Sequence, residues 1–432
     1  MTSNMSAYRL LPLRRLSLIP IVNGLGEAGD ESNPTEWPRY IRTTDIAGTK
    51  VLDPDKRVTL ALEVATNAPV LRNDILMCAA GATIGKSYIH LIDEPACYAG
   101  YLVRWRVNPC IADPRFMAYW TESDHFLAQV TSGAVKSTIE NFSASRYRAI
   151  LAPVPPISDQ QRIADFLDRE TAEIDDFIAD QERLIELLEE RRAATVSAEI
   201  ASHMGRGVTP LKMCAQVKTG LTLGKVYEET TPEWPYLRVA NVQVGRVDTN
   251  DVAMVSVPDG VARSCMLQTG DVLMTEGGDL DKLGRGAIWD GRIDPCLHQN
   301  HIFAVRCEES LIGDYLVYVL ESQIARTYFE TTGKQTTNLA STNSTIVKNF
   351  GFPLPTLAEQ AATVNRLNQR IAQIDSTIGD ARRAIELSRE RRAALITAAV
   401  TGQIDVTTGR TRSVSGACQT GALTKQRDSH GD

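Results

Sequence analysis

Residues Pro153 to Ala198 can be laid on residues Pro353 to Ala398 without a gap. Pro155 meets Pro355, Gln160 meets Gln360, Ile174-Asp175 meets Ile374-Asp375, and Glu190-Arg191-Arg192-Ala193-Ala194 meets Glu390-Arg391-Arg392-Ala393-Ala394. Roughly two in five positions are identical, more than chance gives over such a length. The chain therefore contains an internal repeat, and its fold has to be two copies of one unit.

The regions upstream of each copy match more loosely. Glu36-Trp37-Pro38-Arg39-Tyr40-Ile41-Arg42 parallels Glu233-Trp234-Pro235-Tyr236-Leu237-Arg238, and Asn73-Asp74-Ile75-Leu76-Met77 parallels Gly270-Asp271-Val272-Leu273-Met274. Gly85-Lys86 falls near Gly284-Arg285, and Thr131-Ser132-Gly133 parallels Thr331-Thr332-Gly333. The order along the chain is domain, helix, domain, helix.

Each repeated segment opens after a proline-rich stop, Pro153-Val154-Pro155-Pro156 or Pro353-Leu354-Pro355, and then runs without proline for about 45 residues. A helix of that length spans roughly 65 Å. Ser158 or Asp159 and Thr356 are the expected N-caps.

In the second helix Val364, Leu367, Ile371, Ile374, Ile378, Ala381, Ile385 and Ser388 alternate at three and four residues, which is a heptad seam. Its counterpart is Ala164, Leu167, Thr171, Ile174, Ile178, Gln181, Ile185 and Leu188. Neither seam can be buried alone. Residues 151–205 carry a net charge of about −8 and residues 352–405 about +1, which favours pairing within the chain. Connectivity favours an antiparallel pair, with one domain at each end of the rod.

Between the helices, short β-rich runs such as Ala99 to Val107 and Asn300 to Val305 are bounded by Gly, Pro, Asn and Asp. One helix is expected to follow in each domain, over Arg115 to Val130 and Gly313 to Thr331. The fold class is thus α+β: two β-rich domains with small helices, separated by two long α-helices that form an intramolecular antiparallel coiled coil. Expected boundaries are 1–152, 153–204, 205–352 and 353–405, with 406–432 a disordered tail.

Catalytic patterns fail on context. Gly24-Leu25-Gly26-Glu27-Ala28-Gly29 has dinucleotide-binding spacing, but the prolines after it exclude the helix that would hold a pyrophosphate. Gly81-Ala82-Thr83-Ile84-Gly85-Lys86-Ser87 is one residue short of a phosphate loop and runs into a strand. No Asn-Pro-Pro-aromatic tetrapeptide of the adenine methyltransferases occurs, and no catalytic residue is assigned.

The eight cysteines form no C-x-x-C pair, which points to reduced thiols in a cytoplasm, and no metal site is expected, His298 and His301 included. No apolar run is long enough to span a membrane, and Pro20 and Asn23 interrupt the short stretch after Arg14-Arg15 too early for an export signal. A net charge of −7 argues against a protein that coats nucleic acid generically, but residues 1–150, at about +1, and 206–351, at about −3, are far less acidic than the first helix.

Two β-rich domains, each closed by a Pro-x-Pro turn running into Ile157-Ser158-Asp159-Gln160-Gln161-Arg162-Ile163 or Leu357-Ala358-Glu359-Gln360, each followed by a helix ending Glu-Arg-Arg-Ala-Ala, resemble the specificity subunits of type I restriction-modification systems. The resemblance covers about residues 8–405. One departure is Ala361-Ala362-Thr363 in place of Gln161-Arg162-Ile163.

This resemblance implies a non-catalytic reader of double-stranded DNA. Each domain would read one half of a split asymmetric target, and the helices would set the spacer and dock two modification subunits. No cofactor is expected on this chain. The partners would use S-adenosylmethionine to methylate adenine N6, and the family also allows a restriction subunit using ATP and magnesium. The rival reading is a DNA-binding regulator or decoy of the same fold that acts without a methyltransferase.

Candidate DNA contacts are the repeated polar loops: Arg42, Thr43, Thr44, Lys86, Lys136 and Ser137 in the first domain, and Arg238, Asn241, Lys282, Arg285, Lys334, Gln335 and Thr336 in the second. Arginine suits guanine, and asparagine or glutamine suits adenine. Arg191, Arg192, Arg391 and Arg392 are candidates for partner docking, against the plainer reading of an ion-paired helix face.

Overall fold

The computed structural model describes residues 8–31, 34, 36–133, 141–224, 227, 231–243, 245–278, 283, 284, 286–335, 340–406, 410 and 411. The chain divides into two compact units, Met1–Ala179 with Ile385–Asp432, and Asp180–Ala384. Each unit therefore holds one β-rich domain and a stretch of both long helices.

In the first unit, strands β1 (Val22–Asn23), β2 (Asp74–Cys78), β3 (Ser87–Ile89) and β4 (Leu102–Arg106) form an antiparallel sheet in the order β1-β4-β2-β3. Helices α1 (Pro114–Trp120) and α2 (Asp124–Gly133) follow, and then the first long helix, α3 (Ile157–Ala201). The second unit repeats this with β5 (Ala215–Thr219), β6 (Val272–Thr275), β7 (Gly286–Ile288) and β8 (Ile302–Cys307) in the order β5-β8-β6-β7. Helices α4 (Gly313–Glu321), α5 (Gln323–Thr332) and the second long helix, α6 (Leu357–Val400), complete it.

The strand period of two sends alternate side chains to opposite faces. Ile75, Met77, Val103 and Trp105 enter a core that includes α1, α2 and the long helices, while Leu76, Cys78 and Leu102 enter a second core with Ile41, Val70 and Tyr98. Val272, Met274, Phe303 and Val305 oppose Leu273, Ile302 and Ala304 in the same way in the second unit. Each sheet is covered on both faces, so its central strands send buried apolar side chains to both sides.

The copies differ in their smaller sheets. Both have a short parallel pairing, Arg39–Ile41 with Ala96–Tyr98 and Tyr236–Leu237 with Leu297–His298. The third strand joins opposite sides: Pro69–Val70 adds to Ala96–Tyr98, whereas Ala253–Ser256 adds to Glu233–Leu237.

The long helices pair antiparallel within each unit. In the first, Ile163, Ala164 and Leu167 share a core with Ile396, Ala399 and Val400. In the second, Val196 and Ile200 share one with Val364, Leu367 and Ile371. The expected seam of the second helix is buried from Val364 to Ile385, and that of the first is buried at Ala164, Leu167, Thr171 and Ile174.

Two local expectations change. The single helix expected in each domain is two, broken where the buried Ser123 and Ser322 hydroxyls donate to Trp120 O and Val319 O, each 2.7 and 2.6 Å away. Such side-chain capture of a carbonyl competes with helix continuation. The first long helix starts at Ile157, so Ser158 and Asp159 lie in its first turn instead of capping it. Thr356 does cap the second, with Glu359 completing a capping box: Thr356 N–H donates to Glu359 Oε2 at 3.0 Å and Glu359 N–H to Thr356 Oγ1 at 3.4 Å. The expectation of a disordered tail falls largely outside the described residues; Arg410–Thr411 pairs with Ile404–Asp405.

Each domain is tied to the start of its long helix by one buried amide. Gln160 accepts from Asp113 N–H at 2.8 Å and donates to Pro155 O at 2.8 Å. Gln360 accepts from Ile312 N–H at 2.9 Å and donates to Ser310 O and Pro355 O, both at 2.9 Å. Gln360→Met would leave these backbone groups buried and unpaired, and is expected to destabilise the chain by about 2–4 kcal/mol in urea unfolding. A loss under about 0.5 kcal/mol would show that water replaces the amide.

Candidate nucleic-acid interface

Arg42 and Arg238 open equivalent turns. The Arg42 backbone N–H donates to Asp45 Oδ2 at 2.9 Å, its guanidinium pairs with Asp45 at 3.0 Å, and Nη2 also donates to Lys56 O at 3.1 Å. In the second copy Arg238 N–H donates to Asn241 Oδ1 at 2.8 Å, and Asn241 Nδ2 donates to Asp248 O and Asp251 O, both at 2.9 Å. Asn241 is buried with its amide committed inside the turn, and it occupies the place that Asp45 holds in the first copy. Arg238 itself is half-buried and pairs with the exposed Asp251 at 2.7 Å.

Arg42, the half-buried Thr43 and the exposed Thr44 come together with Leu25, Gly26, Glu27, Tyr40, Gly100 and Tyr101 around a groove of about 580 Å³. The groove is braced from below, since Tyr40 Oη donates to Leu25 O at 2.8 Å and to Glu27 O at 2.9 Å. Lys86 is exposed and stands apart, on the turn after Gly85, which takes a φ of +84°. Gly284 takes +76° at the matching turn.

Lys334 is exposed on a strand, Lys334–Gln335, that joins Ala340–Ser341 and through it Gly277–Gly278. Of Gln335 only the backbone is described. Lys136, Ser137, Lys282, Arg285 and Thr336 lie outside the described residues. No group of His, Cys, Asp or Glu among the described residues could hold a metal ion, and no described helix is long and apolar enough to cross a membrane.

The four arginines on the helices divide into two kinds. Arg191 and Arg391 are exposed. Arg192 turns inward, with Nη1 2.8 Å from Glu321 at the end of α4 and Nε 3.3 Å from Asp375 on the second long helix. Arg392 repeats this in the first unit: Nη1 is 2.6 Å from Glu122, just after α1, and Nε is 2.9 Å from Asp175 on the first long helix. One guanidinium in each unit thus clasps a long helix and a β-rich domain together. Nearby, Ser197 Oγ accepts from Gln323 N–H at 3.0 Å and Thr397 Oγ1 from Asp124 N–H at 3.3 Å, a second matched tie.

Comparison with known proteins agrees with this plan. Residues 31–187 match the family model of the type I restriction modification DNA specificity domain. The chain is 24% identical to the type I restriction enzyme EcoKI specificity subunit of Escherichia coli K12, over 60% of this chain and 59% of that protein. It is 22% identical to the StySPI specificity subunit of Salmonella potsdam, over 68% and 66%. These matches span about three fifths to two thirds of the relatives' length. Residues 31–187 carry the type I restriction modification DNA specificity domain, and a longer stretch of the chain is similar to type I specificity subunits.

Solved structures share the fold of this chain. A chain from a study of complex assembly and conformational transition in a type I restriction-modification system superposes with a TM-score of 0.64 at 15% identity, covering 91% of this chain and 97% of that one. The HsdS subunit from Thermoanaerobacter tengcongensis gives 0.51 at 16% identity, again over 91% and 97%.

The inward arginines had a signal in the sequence. Continuing the three-and-four spacing of the seam four residues beyond Leu188 and Ser388 lands on Arg192 and Arg392, at positions that face the partner helix. Another tie had none. Asp168 on the first long helix is held by Lys50 Nζ at 2.5 Å, Tyr119 Oη at 2.8 Å and Arg115 at 2.9 Å. Its second-copy counterpart is Asn368, bonded to Tyr318 Oη at 2.6 Å, so the repeat does not mark it as charged.

Two outcomes follow for this protein. Arg392→Met leaves Glu122 without its cation and is expected to destabilise by about 2–3 kcal/mol, with Glu122→Gln in the same chain restoring much of the loss; Arg391→Ala should change stability by less than about 0.5 kcal/mol. Equal losses from Arg391→Ala and Arg392→Met in urea unfolding would contradict the assignment of inward and outward roles.

The second outcome concerns acid. Burial raises the pKa of Asp168, but the hydrogen bonds from Lys50 and Tyr119 and the charges of Lys50 and Arg115 outweigh it and hold the carboxyl below its ordinary value. A folded pKa below the unfolded one, about 3.9, adds stability above that pH and loses it as pH falls through the folded value. Asp168→Asn should therefore melt below wild type at pH 7, with the gap closing below about pH 4. A gap of constant size across that range would rule out the charge as its source.

Proposed function

We propose that this chain is the non-catalytic DNA-reading subunit of a type I restriction-modification complex. The two β-rich domains, residues 1–152 and 205–352, each read one half of a split target in double-stranded DNA. The helical segments, 153–204 and 353–405, set the unread spacer and dock two modification subunits, with a restriction subunit as a further partner.

The observation that carries this reading is the repetition of one unit in which a β-rich domain with a turn opened by a half-buried arginine is clasped to an antiparallel helix pair. Positioning is all that a base-flipping methyltransferase lacks, and a rigid reader supplies it through phosphate contacts for register and base-edge contacts for identity. S-adenosylmethionine, and ATP with magnesium for cutting, belong to the partners. The exposed Arg191 and Arg391 remain the docking candidates on the helices. Free thiols at the seven described cysteines support a cytoplasmic setting.

The domains differ in their turn chemistry, Asp45 against Asn241, and in their smaller sheets, so the two half-sites should differ. Co-expression with a type I modification subunit, followed by genome-wide mapping of N6-methyladenine, is expected to give an asymmetric split motif. Exchange of residues 1–150 should change one half of it. A stable complex that methylates no split motif would overturn the reading, and selective DNA binding without any methylation would favour a decoy.

A further inference from the structure

One short turn is built identically in both units and carries different side chains. In the first unit Leu25 N–H donates to Tyr98 O at 2.9 Å, Gly100 N–H to Leu25 O at 2.6 Å, Ala99 N–H to Ile41 O at 2.9 Å, Leu102 N–H to Ala99 O at 2.9 Å and Ala79 N–H to Tyr101 O at 2.8 Å. In the second, Leu221 N–H donates to His298 O at 2.7 Å, Asn300 N–H to Leu221 O at 3.0 Å, Gln299 N–H to Leu237 O at 3.0 Å, Ile302 N–H to Gln299 O at 2.8 Å and Glu276 N–H to His301 O at 2.8 Å. All five bonds correspond. A crossing segment lies so close that a Cβ on Gly24 would come within 2.2 Å of Tyr98 O, and one on Gly220 within 2.1 Å of His298 O. Only glycine fits there in either copy.

On this common frame the side chains diverge: Ala79, Gly100 and Tyr101 in the first unit, Glu276, Asn300 and His301 in the second. The frame residues are fixed by packing, whereas Tyr101 is 68% exposed and the His301 side chain 54%. An exposed residue is free to become anything, yet both copies keep a flat ring with a polar edge. Tyr101 stands over the groove that Arg42, Thr44 and Glu27 share. His301 is oriented by Glu276, whose Oε2 lies 2.5 Å from Nδ1.

We infer that Tyr101 and His301 are specificity-determining residues, each touching base edges of its own half-site, with Glu276 positioning His301. The inference rests on the reading under Proposed function. A planar side chain with a hydrogen-bonding edge can both stack on and discriminate bases, and a tip held by five backbone bonds loses little entropy on binding. The frame sets where the ring sits, and the ring's identity sets what it reads.

The test uses the full chain assembled with a modification subunit. Wild type, Tyr101→Ala, His301→Ala and the double graft Ala79→Glu with Tyr101→His each select from a randomised duplex DNA pool, and methylation of the selected sites is measured. Tyr101→Ala should lose roughly tenfold in methylation of the wild-type site and flatten the preference at one or two adjacent positions of one half-site. The other half-site should stay intact, which also reports that the chain is folded. His301→Ala should do the same in the opposite half, and the graft should install a new preference at the Tyr101 positions.

A wild type that selects no split motif would overturn the functional reading and this inference together. A split wild-type motif that all three variants reproduce, with rates within about twofold, would overturn this inference alone.

Discussion

The architecture depends on a guanidinium that faces two ways. Arg192 and Arg392 each reach an aspartate on the opposite long helix and a glutamate on a β-rich domain. An apolar seam by itself leaves the pairing of two long helices underdetermined, because sliding by one heptad, about 10 Å, buries nearly the same area. A charge that must find its partner does not tolerate that slide. With Glu321 8% and Glu122 17% exposed at the side chain, these pairs are buried enough for desolvation to consume much of their attraction. Their contribution is therefore to register more than to stability.

The residues that survive unchanged between the copies are those with obligations in two directions. Gln160 and Gln360 satisfy backbone groups both of the proline turn and of the segment entering α1 or α4. Asp74 and Asp271, fully buried, receive bidentate arginines, Arg106 and Arg306, at 2.7 to 2.8 Å, and also cap their own turns at Leu71 and Gln268. Substituting any of these leaves a buried polar group unpaired at more than one place. Where the partners themselves differ the residue has changed, as with Asp168, held by Lys50, Tyr119 and Arg115, against Asn368, bonded to Tyr318.

Much of this was legible in the chain before any coordinates. A gapless repeat, proline stops and a three-and-four seam give long antiparallel helices with little ambiguity, because a single physical period governs them. The helix breaks at Ser123 and Ser322 were not, since a serine within an apolar helical pattern reads as tolerated until its hydroxyl is seen on a carbonyl. Asn241 looked like an adenine reader by residue type. Its amide is spent on the Asp248 and Asp251 carbonyls, a long-range fact that residue type does not carry. Arg192 and Arg392 fell between: the seam placed them inward, while their charge suggested the surface.

Charge divides the labour that geometry sets up. The excess acid of the first long helix is partly matched by arginines of the second, Glu199 with Arg370 at 3.6 Å and Glu189 with Arg382 at 3.1 Å, the latter pair too exposed to add much stability. What remains acidic on that helix is a poor surface for a phosphate backbone. The domains, near neutral by comparison, neither repel DNA strongly nor attract it. If the domains read DNA as proposed, so little electrostatic grip would leave discrimination to short-range contacts at preformed tips and affinity to a cationic partner, so that specificity and attraction would reside in different molecules.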